Sequence, residues 1–288
     1  VIAATDARSA RLDRPRSASI DGEPRPRMSS TFLSVDLGNT RCKLCLWTIS
    51  SHSDAELVAA HEIDSAAGIA ARASGWLAVQ SRAQSAAVSS VASREVEDEL
   101  CAALRACVDG AVRRRPDTGL AIECRQPERV GSDRLFAARG AHAALKRSAI
   151  VVDAGTALTV DALRVDARRA AFLGGAIAPG PKLLAEALAR GTARLPLIVP
   201  RVNAVALGRD TESALQSGVV IGFRGAAREL VERVGAESRL DEAPIVLTGG
   251  ARAFLNQPSA FGDRVVHEVA DLVHRGLIAA CFAPIPAP

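Results

Sequence analysis

Two stretches decide the fold: Thr31-Phe-Leu-Ser-Val-Asp-Leu-Gly-Asn-Thr-Arg-Cys-Lys43 and Ser148-Ala-Ile-Val-Val-Asp-Ala-Gly-Thr-Ala-Leu-Thr159. Each runs an apolar strand into an aspartate, turns at a glycine beside a hydroxyl or amide residue, and returns as a second strand. The patterning predicts strands over 31–36 and 41–49, and again over 148–153 and 157–163. A glycine in such a turn lets backbone N–H groups approach an anion, as phosphate-binding turns require. Asn39, Thr40 and Thr156 add side-chain donors, and Asp36 or Asp153 can hold Mg²⁺ directly or through water. One Asp-x-Gly turn is a common hairpin connector. Two in matching contexts, with a later strand over 244–248 ending in Gly249-Gly250, describe a duplicated α/β unit with a cleft between its halves. The boundary is expected near Arg147, giving domains at 31–147 and 148–288.

Between these landmarks the pattern predicts helices over 64–80, 94–107, 131–146, 181–190, 211–234 and 272–281, with one more after Gly250. Ser132 or Asp133 is the expected N-cap of the 131–146 helix. Short strands are expected over 85–91, 120–124 and 172–177, the last interrupted by Gly174 and Gly175.

Bulk composition narrows the class. The chain has 288 residues, with 36 basic against 32 acidic side chains, a formal charge of +4. Half of that excess lies in residues 1–27, so the remainder is near neutral and no nucleic-acid partner is expected. No apolar run approaches the ~18 residues of a membrane span. The N-terminus lacks the apolar core of a secretory signal. The chain's one methionine is Met28, so residues 1–30 read as a disordered extension or a mis-set start. Lysine is scarce (Lys43, Lys146 and Lys182), and tyrosine is absent. Cys42, Cys45, Cys101, Cys107, Cys124 and Cys281 are scattered through apolar segments and read as free thiols of a reducing cytoplasm. His52, His61, His142, His267 and His274 show no metal-ligand spacing and read as surface or helix residues; Trp47 and Trp76 read as core, and Arg113-Arg114-Arg115 as a solvated loop. No G-x-x-x-x-G-K-[ST] pattern is present, which excludes a P-loop kinase.

Gly131-Ser132-Asp133-Arg134 sits at a predicted helix start between the two glycine turns. A carboxylate there can take a proton from an attacking hydroxyl, and the arginine can meet a carboxylate or phosphate with two parallel hydrogen bonds. An exposed arginine beside a capping aspartate is the structural alternative.

The two turns and the Gly249-Gly250 strand end resemble the actin-like ATPase superfamily, which groups sugar kinases, Hsp70 and actin. Asp36–Lys43 (DLGNTRCK), Gly131–Arg134 (GSDR), Asp153–Thr159 (DAGTALT), Gly174–Gly180 (GGAIAPG) and Gly191–Pro196 (GTARLP), in this order, resemble the type III pantothenate kinase family over about residues 31–282. That resemblance implies an α/β fold of duplicated actin-like (ribonuclease H-like) domains with an interdomain nucleotide cleft. It implies a cytoplasmic enzyme that transfers the ATP γ-phosphate to the 4′-hydroxyl of pantothenate, the first step of coenzyme A synthesis. It assigns ATP to Asp36, Leu37, Gly38, Asn39, Thr40, Arg41, Cys42, Lys43 and Thr156, with the Gly249-Gly250 turn against the adenosine. Asp133 becomes the general base, and Cys124, Gly131, Ser132, Asp133, Arg134 and Thr192 the pantothenate contacts. Asp153 would hold a monovalent cation (K⁺ or NH₄⁺), and Asp36 Mg²⁺, directly or through water. Thr192 is tied to a dimer interface, so a homodimer is expected. Cys124 departs from the family pattern, which usually has tyrosine there. The alternatives are a kinase or phosphatase of the same fold for another small substrate, and a non-catalytic regulatory protein.

Overall fold

A computed structural model describes residues 30–51, 54–256, 260–283 and 285. The extension read over residues 1–30, Ser30 apart, and His52 lie outside the described residues. The first half opens with the hairpin β1 (Ser30–Leu37) and β2 (Arg41–Ser51), followed by β3 (Asp54–Asp64), helix α1 (Ile69–Leu77), β4 (Ser85–Ser90), α2 (Arg94–Cys107) and β5 (Val112–Arg114). A two-residue strand β6 (Ala121–Ile122) leads to α3 (Ser132–Leu145). The second half repeats the opening with β7 (Ala149–Ala154), β8 (Ala157–Val165) and β9 (Ala170–Pro179), then α4 (Pro181–Gly191), α5 (Thr211–Ser238), β10 (Ile245–Thr248), β11 (Val266–Glu268) and α6 (Leu272–Phe282).

The duplication is topological as well as local. The first sheet runs β3-β2-β1-β4-β5, and the second, read from its far edge, β6-β9-β8-β7-β10-β11. In each, a three-stranded antiparallel meander is extended by two parallel strands at the first strand's side. This is a duplicated actin-like fold. The extra strand β6 comes from the first half yet pairs with β9.

Strand alternation sorts the side chains. In β1, Leu33, Val35 and Leu37 pack outward with Leu100 and Leu104 of α2, whereas Phe32 joins the inner core with Trp47, Phe136 and Phe172. In β7, Ile150, Val152 and Ala154 pack outward against Phe223 and Val231 of α5, whereas Ala149 and Val151 face inward. Helices α3 and α6 therefore lie between the two sheets, and by the same alternation Asp36 and Asp153 both fall on inner faces.

Several expectations are corrected. The 64–80 segment is not one helix: it ends β3 and then forms α1 from Ile69. β3 and β11 are strands because a neighbour pairs with them, since the charged, alanine-rich β3 has little strand preference of its own. Arg113–Arg115 is not a free loop: Val112–Arg114 pairs with β4, and Arg114 and Arg115 bond to Asp98 and Glu97. A single 3₁₀ turn, Arg252–Phe254, stands where a helix after Gly250 was expected. Gly131, without a capping side chain, is the N-cap of α3.

Helices α3 and α6 meet backbone to backbone. A Cβ on Gly276 would overlap the Phe136 carbonyl, and one on Gly140 the Leu272 carbonyl. Gly276→Ala is expected to destabilise the fold by ~1–3 kcal/mol, the usual cost of overpacking. Gly75→Ala, at an exposed α1 position with open space around it, should gain ~0.5–1 kcal/mol. Denaturant melts of the two variants check both signs.

Candidate active site

A cleft of about 960 Å³ opens between the two sheets. Its walls include Asp36, Gly38, Asn39, Thr40, Arg41 and Lys43 from the first hairpin, and Asp153, Gly155 and Thr156 from the second. Asp133 and Arg134 from the start of α3 and Thr248–Arg252 at the end of β10 also line it. The three aspartates singled out in the sequence thus converge on one cavity. They come from three separate elements: the two central strands and the helix between the sheets.

Each is held in place by ordinary secondary-structure forces. Asp36 stands opposite Lys43 in the hairpin and beside Ser89 in the parallel register. The Ser89 hydroxyl bonds to Asp36 and lies 3.1 Å from the Ser132 hydroxyl. Ser132 in turn donates to the Ser90 carbonyl and accepts from the Ser90 N–H, both at 2.9 Å. This buried chain ties the start of α3 to Asp36, and it commits Ser132 to β4. Asp153 lies between Thr159 of β8 and Thr248 of β10. Gly249 has φ +92°, and a Cβ there would overlap the Ala154 carbonyl and the Asp153 carboxylate. Only glycine leaves that carboxylate open.

The turns have the shape the sequence predicted. Gly38 N–H donates to the Arg41 carbonyl and Gly155 N–H to the Ala157 carbonyl, each at 2.9 Å. Gly180, the last residue of the GGAIAPG stretch, donates its N–H to the Thr156 carbonyl at 2.9 Å, bracing the second turn.

Electrostatics mark the site. Burial, then the charges of Asp133 and Asp153, push Asp36 up to about 7 against the pull of Ser89 and Lys43. Burial, then the charges of Asp133 and Asp161, push Asp153 up to about 7. The cleft's own cations are already matched: Lys43 with Asp271, Arg134 with Asp161, Arg41 with Glu62 and Asp64, Lys182 with Glu186, and Arg252 with Glu268. Among the described residues no three His, Cys, Asp or Glu side chains close into a ready-made metal cage. Carboxylates buried close together fit an oxygen-seeking cation that also takes water and phosphate ligands.

Not every predicted residue reaches the cavity. Leu37 and Cys42 are buried in the outer core of the first sheet, and burial pushes the Cys42 thiol far above its ordinary range. Thr192 follows α4 and donates to the Leu188 carbonyl at 2.9 Å, away from the cleft lining within one chain. Cys124 packs beside Gly174, its Sγ 3.5 Å from where a Cβ would stand, and near Arg134. The sequence reading did not single out Asp161 or Asp271, and it took His274 for a surface or helix residue; His274 is in a helix but buried. Asp161 left one trace, a charge inside the apolar run 157–165. His274 is buried at the cleft floor, with Nδ1 2.8 Å from the Ser34 hydroxyl that also accepts from Trp47 Nε1. Burial lowers its pKa to about 4, against the pull of Asp271.

With this geometry established, the chain's relatives can be placed. The profile of the type III pantothenate kinase family matches residues 32–233. The chain belongs to that family. It is 38% identical to the type III pantothenate kinase of Hyphomonas neptunium over 161 residues, 56% of this chain and 60% of the relative. It is 38% identical to that of Legionella pneumophila strain Paris over 167 residues, 57% of this chain and 62% of the relative. The matched region spans about 60% of these relatives' length. The fold is also that of a candidate 2-dehydro-3-deoxygalactonokinase from Sinorhizobium meliloti, at 18% identity and TM-score 0.52, covering 89% of this chain and 98% of the other.

The raised aspartates carry a pH signature. A carboxylate whose folded pKa exceeds its unfolded one stabilises the fold while protonated. Its contribution is complete below about pH 4 and lost as the pH rises through about 7. Without divalent cations, the melting temperature should fall from about pH 5 to about pH 8, and Mg²⁺ should raise it more at the higher pH, because the metal needs ionised carboxylates. Asp36→Asn should flatten both trends. Scanning calorimetry with and without Mg²⁺ measures them, and an Mg²⁺ effect independent of pH would show that these carboxylates do not meet the cation.

Proposed function

We propose that this chain is an ATP-dependent pantothenate kinase, transferring the γ-phosphate to the 4′-hydroxyl of pantothenate at the start of coenzyme A synthesis. The reading rests on one observation: Asp36, Asp133 and Asp153 share a cleft with two glycine turns. Phosphoryl transfer needs positioning and charge neutralisation more than covalent help.

In this reading the Gly38–Thr40 and Gly155–Thr156 turns grip the phosphates, with Lys43 and Arg41 beside them. Asp133 accepts the proton of the attacking hydroxyl. Its placement at the first turn of α3 lets its Oδ1 accept the Arg134 N–H at 2.8 Å, which holds the carboxylate at the helix start. Asp36 would hold Mg²⁺, directly or through water, and Asp153 a monovalent cation, K⁺ or NH₄⁺; bound there, the two cations neutralise the charge of the triphosphate. Cys124 occupies the place of a family tyrosine at the acceptor end, and a thiol offers less contact area and a weaker hydrogen bond than a phenol.

We further read the enzyme as cytoplasmic; among the described residues no helix is long and apolar enough to cross a membrane. It is also read as a homodimer. Ile177, Leu197, Val199, Val205 and Leu207 are large apolar side chains exposed along β9 and the 192–210 segment that contains Thr192. A second copy of the chain would cover this surface, part of which, Leu197 and Val199, also lines the cleft.

Four measurements test the proposal. Purified chain with ATP, Mg²⁺ and K⁺ should consume ATP only when pantothenate is present, and Na⁺ should replace K⁺ poorly; ATP hydrolysis indifferent to pantothenate would sink the assignment. Asp133→Asn should lower kcat by ~10²–10⁴-fold, the scale of a lost general base, with little change in ATP binding. Cys124→Tyr should lower the KM for pantothenate, and an unchanged or raised KM would show that the ring is not what the pocket lacks. For the dimer, Val199→Asp with Leu207→Asp should halve the mass seen by sedimentation.

A further inference from the structure

Strand β8 carries an aspartate where its pattern calls for an apolar residue. Leu158, Val160 and Ala162 face the outer core, and Leu163 the inner one. Asp161 falls on the inner face with Thr159, and it is only 1% exposed. A carboxylate buried this deeply is costly unless a cation and further donors satisfy it.

The partner is Arg134. Its Nε lies 3.1 and 3.2 Å from the two Asp161 oxygens, and its Nη2 donates to Oδ1 as well. Thr159 supplies another hydrogen bond to the same carboxylate. The surroundings are shaped for the pair. On the neighbouring strand Gly175 stands opposite Asp161, and a Cβ there would come within 2.5 Å of its Oδ1. The guanidinium carbon lies 5.4 Å from the Phe172 ring centroid, at cation–π distance.

This arrangement decides which part of Arg134 remains for a ligand. A guanidinium has five N–H donors in a rigid plane. Asp161 occupies the edge formed by Nε and Nη2. Among the described residues nothing bonds to Nη1, so Nη1 and the second N–H of Nη2 remain as a free two-donor edge. Arg134 lines the cleft next to Asp133. Because the pair is neutral overall, the free edge attracts an anion by directed hydrogen bonds rather than by long-range charge.

We propose that Asp161 is a positioning residue for acceptor selection: it clamps one edge of Arg134 so that the other receives the acceptor's carboxylate while the acceptor's hydroxyl meets Asp133. This inference rests on the pantothenate reading above. It explains why Gly175 and Phe172, which touch no reacting atom, surround the pair: one leaves room for the carboxylate and the other supports the guanidinium plane.

The test uses the full chain and two acceptors, pantothenate and pantothenamide, in which a neutral amide replaces the carboxylate. Asp161→Asn should raise the KM for pantothenate by ~10–100-fold, the range for a charged hydrogen bond, and leave the KM values for pantothenamide and ATP within about 2-fold. In an Arg134→Gln background, Asp161→Asn should cost nothing more, since the group it positions is gone. An equal loss for both acceptors, or the same loss in both backgrounds, assigns Asp161 a merely structural role and overturns the inference. Should Asp161→Asn fail to fold, the Asp161→Asn, Arg134→Gln double variant removes both buried charges together. That variant should bind the two acceptors alike, and retained preference for the acid overturns the proposal. Wild-type chain that leaves pantothenate unphosphorylated overturns the functional reading, and this inference with it. Normal pantothenate turnover, with an acid preference that Asp161→Asn does not change, overturns the inference alone.

Discussion

The constraint on which the rest of this molecule depends is the enforced closeness of buried carboxylates. Asp36 and Asp153 occupy equivalent positions in two copies of one strand pattern. The inner faces of both sheets bring them to the same cavity as Asp133. Burial, then the charges of neighbouring carboxylates, keep both strand aspartates far above the ordinary carboxylate range. That arrangement is unfavourable for the empty protein and favourable for binding cations. Lys43 and Arg134, the two least exposed cations of the cleft, are paired with Asp271 and Asp161 rather than with these carboxylates.

The scaffold that imposes this closeness is rigid where it needs to be. Helices α3 and α6 are in backbone contact through Gly140 and Gly276, and both start at the cleft, one with Asp133 and the other just after Asp271. Asp271 adopts a left-handed backbone conformation with φ 57° while pairing with Lys43 of the first hairpin. A non-glycine residue held there costs about 1–3 kcal/mol, and such residues concentrate at functional sites. Next to it, the Trp47–Ser34–His274 hydrogen bonds fasten α6 to the inner face of the first sheet. The two sides of the cleft are thus supported by different elements. Lys43 is held by the start of α6, and Arg134 by β8.

Much of the fold was legible in residue order because the decisive elements are local. An apolar run ending in aspartate and glycine specifies a strand and a turn whatever surrounds it, and the repeat of that unit announced the duplication. The 94–107 helix was readable to the residue, and the structure adds Ser93 as its cap. Elements that exist only by pairing were not readable. The charged β3 and the three-residue β5 and β11 become strands because a neighbour offers its open edge. The cap of α3 was misplaced for a related reason. Ser132 has the right chemistry for an N-cap, but a distant strand claims its hydroxyl.

The candidate site divides in the same way. The sequence by itself determined the chemistry at hand: which aspartates, glycines and hydroxyls stand at strand ends and helix starts. These follow from short-range patterns and from the family to which they belong. Only the tertiary structure decided which groups each charged side chain meets. It gave Arg134 to Asp161, Lys43 to Asp271 and Ser132 to β4, and it withdrew Leu37 and Cys42 into the core. The physical reason is that a charge buried in a protein must be matched by whatever lies across the interface, and that partner is chosen by the packing of whole elements.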